Sequence, residues 1–532
     1  MLPWHRPAVR RIAWLLAAVL LAALTGCASL PPGLAGPPST ALAPIADATL
    51  VRIARLSQPD PDLSGFRLLP SGDFALDARL TLIQRAEVSL DVQYYHVEND
   101  ATGRHFLRAL RDAALRGVRV RLLLDDLYTA GDDGLLLSLA ATPHLELRIY
   151  NPFPQRHGGN ARRFAASLLQ FDRLQRRMHN KLLMADGAMG VAGGRNIGAR
   201  YYTQTNGENF LDMDTLVAGA LMPRLATLFD LYWNSPHVVP IERLAEPNPD
   251  LAAMRQRFEA LTAPSQAPPP RPSAPNDMLG YAPVSSELAS GRIGLIWATA
   301  EAYADAPERA IGHQTNYGGV PLLDVDSVRY NVAENIRRAR REVLLSSPYL
   351  VPGASGMQVL REARARGVAI HLVTNSLAAS DEPFVHTAYR RYRADLVALG
   401  VDIDEISGSR IRRSVRLGLF GTATGRLHAK TAVFDRTLVF IGSLNFDPRS
   451  ELYNTEIGLF IRSEALASQV LKLAEVLREQ GAWRVRATPE GQLQWHGVDD
   501  GVPQVLDSEP DASWWDRFLL ELVAPFTPES LL

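Results

Sequence analysis

Cysteine and lysine are the scarce residues of this chain. Cys27 is the single thiol among 532 residues, so no intrachain disulfide can form even in an oxidising compartment. Lysine occurs three times against 53 arginines, and two of the three follow a histidine by two positions: Lys181 after His179, and Lys430 after His428. The other ten histidines have no basic residue at that offset. Where positive charge is otherwise written as the planar arginine fork, these two sites carry a compact point charge. Such a charge suits a phosphoryl group whose geometry changes during reaction. Excess charge of either sign is also missing. A net charge of −1 gives no global attraction to nucleic acid, which disfavours a broad nucleic-acid binder. There is no HExxH, no P-loop and no paired CxxC.

A long hydrophobic run is absent too. Ile12 to Leu24 is almost wholly apolar but short for a bilayer span. With Arg6, Arg10 and Arg11 before it and Leu24-Thr25-Gly26-Cys27 after it, residues 1–26 read as a lipoprotein signal peptide. Cys27 is then the lipidation site, which predicts a lipid-anchored protein of the bacterial cell envelope facing the periplasm. No Asp follows the cysteine, so inner or outer membrane stays undecided. Residues 27–48, with Pro31, Pro32, Pro37, Pro38 and Pro44, read as a tether. The breaker-rich run Ala263 to Pro272 reads as a mobile insertion within a linker over 241–320. That leaves domains over 49–240 and 321–505, and a C-terminal extension over 506–532.

The two domains look like one unit used twice. Ser89 to Tyr95 alternates as a strand, a helical stretch follows, and Gly117 to Leu124 reads as the next strand. Glu342 to Tyr349, a helix ending at Arg366, and Gly367 to Val373 repeat that order. From Gly117 to His179 is 62 residues and from Gly367 to His428 is 61, so the repeat keeps its distance to the motif. The motif itself runs His179-x-Lys181-x4-Asp186 and His428-x-Lys430-x4-Asp435. Ten residues beyond each aspartate stands an asparagine, Asn196 in Gly193-Gly194-Arg195-Asn196 and Asn445 in Gly442-Ser443-Leu444-Asn445. Each HxK is a strand candidate, in which the period of two puts histidine and lysine on one face. The succession implies an α/β fold of two pseudo-twofold-related domains, each a mixed sheet flanked by helices, with a site at their interface.

Two histidines at one phosphorus permit nucleophilic attack by one and protonation of the leaving alkoxide by the other, as a coupled pair in opposite protonation states. Lys181, Lys430, Asn196 and Asn445 would hold the non-bridging oxygens. The Ser443 hydroxyl can add to them, whereas Gly194 at the matching position cannot.

The duplicated HxKxxxxD with its trailing G-[GS]-x-N resembles the phospholipase D superfamily over roughly residues 75 to 485. The resemblance implies that His179 forms a phosphohistidine and His428 is the general acid and then base. It implies an acidic residue orienting each histidine: Glu456 in the second half, and in the first half Asp214 in preference to Asp212. Asp186 and Asp435 complete the motifs, more as structural than as reacting groups. No metal or other cofactor is implied; an Asp212-Met213-Asp214 metal site would lack convergent ligands.

Further stretches resemble the bacterial cardiolipin synthase branch, its third type above all. They include Leu90 to Tyr95, Leu123 to Asp126, Val191 to Gly198, Thr374 to Ala379 and Glu529 to Leu532. That resemblance implies a phosphatidyltransferase making cardiolipin from phosphatidylglycerol, with a second phosphatidylglycerol or phosphatidylethanolamine as donor. Its partners are phospholipid substrates and the membrane. A hydrolytic phospholipase D, a nuclease of the same superfamily, and an inactive lipid-binding lipoprotein are the alternatives. Two surface features each have two readings: the run Arg410, Arg412, Arg413, Arg416 is by default a solvated loop and otherwise a headgroup or membrane contact, and the stripe Trp514, Trp515, Phe518, Leu519, Leu522 packs on its own domain or inserts at a membrane interface.

Overall fold

The computed structural model describes residues 34–153, 173, 175–245, 250–307, 316–317, 320–321, 326–414, 423–499 and 501–523. Cys27, the apolar segment before it, Arg416 and the terminal Glu529 to Leu532 lie outside the described residues, as does the side chain of Leu519.

Among the described residues, apolar and β-branched content writes nine strands in the first lobe: β1 (Ser64–Leu69), β2 (Ser89–Tyr94), β3 (Arg119–Asp125), β4 (Leu145–Tyr150), β5 (Lys181–Ala185), β6 (Met189–Gly193), β7 (Glu208–Leu211), β8 (Asp214–Gly219) and β9 (Val238–Pro240). Eight of them form one mixed sheet in the order β9-β4-β3-β2-β5-β6-β8-β1, parallel across β2, β3 and β4 and antiparallel elsewhere. The parallel strands are joined by helices, since parallel neighbours need a crossover connection. One crossover helix is α1 (Ala101–Leu115), which opens on the Asp100 carboxylate accepting the Gly103 N–H. It buries Phe106, Leu107, Leu110, Ala113 and Ala114 against the sheet.

The second lobe repeats the design. Its strands are β10 (Ile296–Ala304), a two-stranded ribbon of β11 (Asn316–Tyr317) and β12 (Val320–Pro321), then β13 (Glu342–Ser346), β14 (Ala369–Asn375), β15 (Asp402–Ile406), β16 (Thr424–Leu427), β17 (Thr431–Phe434), β18 (Leu438–Gly442), β19 (Ile457–Arg462), β20 (Ala482–Ala487), β21 (Leu493–Asp499) and β22 (Val502–Leu506). The order β10-β19-β18-β17-β13-β14-β15-β20 mirrors the first lobe strand for strand. The helices used below are α2 (Val328–Arg338), α3 (Gly353–Ala365), α4 (Pro383–Ala398) and α5 (Trp514–Val523).

β10 lies inside the stretch that the sequence marks as linker, yet it is the central strand of the molecule. It pairs with β1 (Gly65 opposite Trp297) and with β19 (Ala302 opposite Leu459), joining both lobes into one continuous sheet. Its sequence, Ile296-Trp297-Ala298-Thr299-Ala300-Glu301-Ala302-Tyr303-Ala304, is alanine-rich, so its alternation is weak. One apolar cluster holds residues of both lobes, among them Val217, Leu182, Leu459 and Ile461. The lobes therefore share a core.

Two more sequence expectations change. Much of the expected tether is bound: Ser39 N–H donates to Asn234 at 2.9 Å, Trp233 Nε1 donates to Ser39 at 2.8 Å, and Arg121 and Arg148 donate to the carbonyls of Ser39 and Pro37. The strap lies so close that a Cβ on Gly36 would stand 2.7 Å from the Arg148 guanidinium. The proline-rich run is likewise fastened, with Arg104 donating to Gln266 and Arg271 to Asn206. Composition marked both as breaker-rich, but buried Arg121 and Arg148 supply the donors that the strap's carbonyls need, and exposed side-chain pairs hold the second run.

Candidate active site

Each histidine sits where its lobe reaches across to the other. Met178 forms a parallel bridge with Thr455, and His179 N–H donates to the Thr455 carbonyl at 2.8 Å. β16, which leads into His428, pairs in parallel with β7 of the first lobe, and His428 N–H donates to the Leu211 carbonyl at 2.7 Å. These pairings explain why the regular strands begin only at Lys181 and Thr431, after each histidine rather than at it. They also place the residues after Thr455 and Leu211, namely Glu456 and Asp212, beside the opposite lobe's imidazole.

The carboxylates are thus exchanged. His179 Nδ1 lies 2.9 Å from Glu456, and His428 Nδ1 lies 2.6 Å from Asp212. Asp212 is the partner of His428, and the expected Asp214 is not. Asp214 is fully buried between two arginines, 2.9 Å from Arg79 and 3.1 Å from Arg195. Asp212 follows the end of β7 and Asp214 begins β8, so the break between the two strands parts these carboxylates, and the cross-lobe pairing of β7 with β16 brings Asp212 to the imidazole.

The two pairs are electrostatically unequal. Burial first, then the Lys181 and Lys430 charges, push His179 well below its ordinary value. Burial also pushes Glu456 up, to about 7, against the pull of Lys181. His428 is lowered by burial and by Lys430, but Asp212 opposes the shift. Burial raises Asp212, yet the His428 and Lys430 charges prevail and hold it below the usual carboxylate range. An ionised Asp212 favours an imidazolium on His428, whereas a weakly acidic Glu456 leaves His179 neutral.

Both lysines are fully buried and bent back onto their own motifs: Lys181 Nζ donates to the His179 carbonyl, and Lys430 Nζ lies 3.0 Å from His428 Nδ1. Burial lowers Lys181 well below its ordinary value and Lys430 to about 8. Asn196 and Asn445 face the same cleft as the histidines, and each keeps a buried carbonyl oxygen with no protein partner among the described residues. Asp186 accepts from the backbone N–H groups of Glu87, Val88 and Ser89, and Asp435 from those of Arg340, Arg341 and Glu342. Both aspartates brace the start of a parallel strand, away from the imidazoles.

Ser443 differs from its expected place. Its hydroxyl donates to Glu456 and accepts from Ile457 N–H, and its carbonyl accepts from His179 Nδ1 at 3.0 Å. It supports the carboxylate from behind. A Cβ on Gly194, the matching residue, would stand 2.2 Å from Asp212 Oδ1, which is why glycine is needed there.

The cleft itself encloses about 490 Å³. Tyr95 meets the His179 ring edge-on at 4.9 Å, and Tyr201 meets His428 at 5.2 Å while accepting from Asn196. Arg200 and Arg449 also line it. Each follows its asparagine by four residues, so the repeat carried a signal for both that the motif spacing alone did not use. Of the surface candidates, Arg410 is buried over Trp483 and paired with Asp499 at 2.9 Å, not solvated. On α5 the side chains of Trp514, Trp515, Phe518 and Leu522 are all exposed.

The family described as cardiolipin synthase, PLD-like domain, matches the chain twice, at residues 80–233 and 332–477. The chain belongs to the phospholipase D superfamily, in its cardiolipin synthase-like branch. It is 35% identical over 471 residues to cardiolipin synthase C of Escherichia coli (strain K12), covering 86% of this chain and 94% of that one. Cardiolipin synthase 1 of Staphylococcus aureus (strain COL) is 25% identical over 402 residues, covering 75% of this chain and 64% of that protein. A crystal structure of phosphatidylserine synthase from Haemophilus influenzae Rd KW20 superposes with a TM-score of 0.56 over 90% of this chain and 96% of that one. At 12% identity that likeness is one of fold. The cleft at the seam is therefore the candidate active site of a phospholipase D-type enzyme, with one histidine and one carboxylate contributed by each family segment.

Proposed function

We propose that this enzyme transfers a phosphatidyl group through a phosphohistidine on His179, with phosphatidylglycerol as acceptor and cardiolipin as product. The observation that carries the reading is the exchanged pair of carboxylates. Each holds an Nδ1, which leaves Nε2 of each imidazole to act. His179 Nε2 attacks phosphorus, the N–P bond forms and the P–O bond to the donor headgroup breaks, while His428 gives its proton to the leaving oxygen. The acceptor hydroxyl then attacks phosphorus and returns a proton to His428, and His179 is released. Lys181, Lys430, Asn196 and Asn445 would hold the non-bridging oxygens as charge develops on them. The donor is a second phosphatidylglycerol or phosphatidylethanolamine. A lipid substrate is supported by the relatives named above and by the aromatic stripe of α5, which suits a membrane surface. Acylation of Cys27 would hold the enzyme there, facing the periplasm; Cys27→Ser should then release it from membranes.

Incubation of the purified enzyme with labelled phosphatidylglycerol and phosphatidylethanolamine tests the reading. Labelled cardiolipin is expected. Phosphatidic acid alone would make the enzyme a hydrolase, and turnover of neither lipid would overturn the lipid assignment.

A further inference from the structure

The duplicated lobes are packed differently in one place. In the first lobe the space beside β2 and α1 is filled by Arg79, Tyr94, Phe106 and Tyr202. All four are buried: Arg79 Nε donates to the Tyr94 hydroxyl at 2.8 Å, Tyr94 meets Phe106 edge-on at 5.8 Å, and Arg79 lies over Tyr202. The repeat assigns their counterparts. Ser89 matches Glu342 through the braces of Asp186 and Asp435, Gly117 matches Gly367, and Asn196 matches Asn445. Counting from these, Val332, Ser347, Gly356 and Glu451 stand where Arg79, Tyr94, Phe106 and Tyr202 stand in the first lobe.

Smaller side chains leave a hole. Between α2 and α3 lies a pocket of about 230 Å³ lined by Val332, Gly356 and Glu451 together with Leu345, Leu360 and Leu372. The pocket opens to the surface between the two helices and its walls are mostly apolar, so hydrocarbon is the chemistry that suits it. Its lip is polar, where Arg329 pairs with Glu451. Asn445 and Asp447 line both this cavity and the catalytic cleft, so the Leu444–Asp447 turn is a wall common to the two.

We propose that the cavity is an acyl-chain pocket, holding one hydrocarbon tail of the phospholipid whose phosphate lies at His179 and His428. The inference rests on the lipid reading above and adds to it where the tail goes. A tail running behind the Leu444–Asp447 turn would tie binding in the apolar pocket to placement of phosphorus beside Asn445. The two lobes would then divide their work: the first is filled solid, and the second takes the substrate's tail.

The test fills the pocket as the first lobe does. Val332→Phe places a ring in the cavity, and Ala333→Phe on the same helix is a second, less buried change; thermal unfolding identifies any variant that fails to fold. The probes are a fluorescent polyene fatty acid, dioleoyl phosphatidylglycerol in micelles, and dibutyryl phosphatidylglycerol. The wild type should bind the fatty acid. Each methylene denied burial lowers affinity about fourfold, so a folded variant should bind it at least about tenfold more weakly. Turnover of the dioleoyl lipid should fall by a similar factor, with dibutyryl turnover unchanged. Absence of fatty-acid binding in the wild type, or equal binding in a folded variant, would overturn the pocket. Equal loss of both lipid activities would do so as well. Fatty-acid binding without turnover of either lipid would instead overturn the functional reading and leave the pocket standing.

Discussion

At the residue scale, two aspartates one residue apart have opposite duties. Asp212 meets His428 at 2.6 Å, while Asp214 is locked between Arg79 and Arg195. Asp212→Asn should fold normally yet lower kcat by about 10²–10⁴-fold, the usual worth of acid–base help. Asp214→Ala should do the reverse, costing about 3–5 kcal/mol of stability because it strands two buried guanidiniums. Calorimetry beside kinetics separates the two. The pH profile follows from the same contacts. His428 is held below its ordinary value by burial and by Lys430, so its imidazolium is lost as pH rises, and the alkaline fall of kcat/KM should begin below the range in which a free imidazole titrates. Asp212 is the contact that raises His428, so Asp212→Asn should move that limb to lower pH; an unmoved limb would assign it to another group. The histidines and asparagines of the cleft, and the buried lysines behind them, were legible because they repeat at fixed spacing. The choice of aspartate was not, since it depends on which strand of the other lobe lies alongside.

At the element scale, the turn before each asparagine is set by what it must avoid. Gly193 has a φ of 159° and a Cβ there would meet the Asp214 backbone at 2.5 Å; one on Gly442 would meet the Ile457 carbonyl at 2.4 Å. The next position divides the lobes: Ser443 braces Glu456, while Gly194 leaves room for Asp212. Gly194→Ser should therefore displace Asp212 and lower kcat about a hundredfold, the cost of roughly 1 Å of misplacement. Ser443→Gly should be milder, since it removes a support rather than adding a clash. Comparable losses in the two variants would contradict this account. Strands β2, β3, β13 and β14 could be read from alternation and β-branched content. β10 could not, because alternate alanines give little hydrophobic contrast, and its strand state comes from the two neighbours that cover it.

At the scale of the whole molecule, the seam between β1 and β10 makes one sheet of two copies, so that each imidazole is completed by the opposite lobe. Duplication was visible in the sequence; the exchange of carboxylates across it was not, because no local pattern records which lobe a side chain reaches. Since both pairs form within one chain, a mixture of full-length His179→Ala and His428→Ala proteins should remain inactive. Recovered activity would mean that lobes of different chains assemble the site. In the proposed reaction the lobes divide the chemistry, His179 bonding phosphorus and His428 moving the proton. His428→Ala, given a phosphatidyl ester whose leaving group needs no protonation, should accumulate an acid-labile phosphatidyl adduct, because no base remains to activate the acceptor. Peptide mapping by mass spectrometry should place that adduct on His179, and His179→Ala should form none. An adduct on any other residue, or none in His428→Ala despite release of the leaving group, would contradict the account.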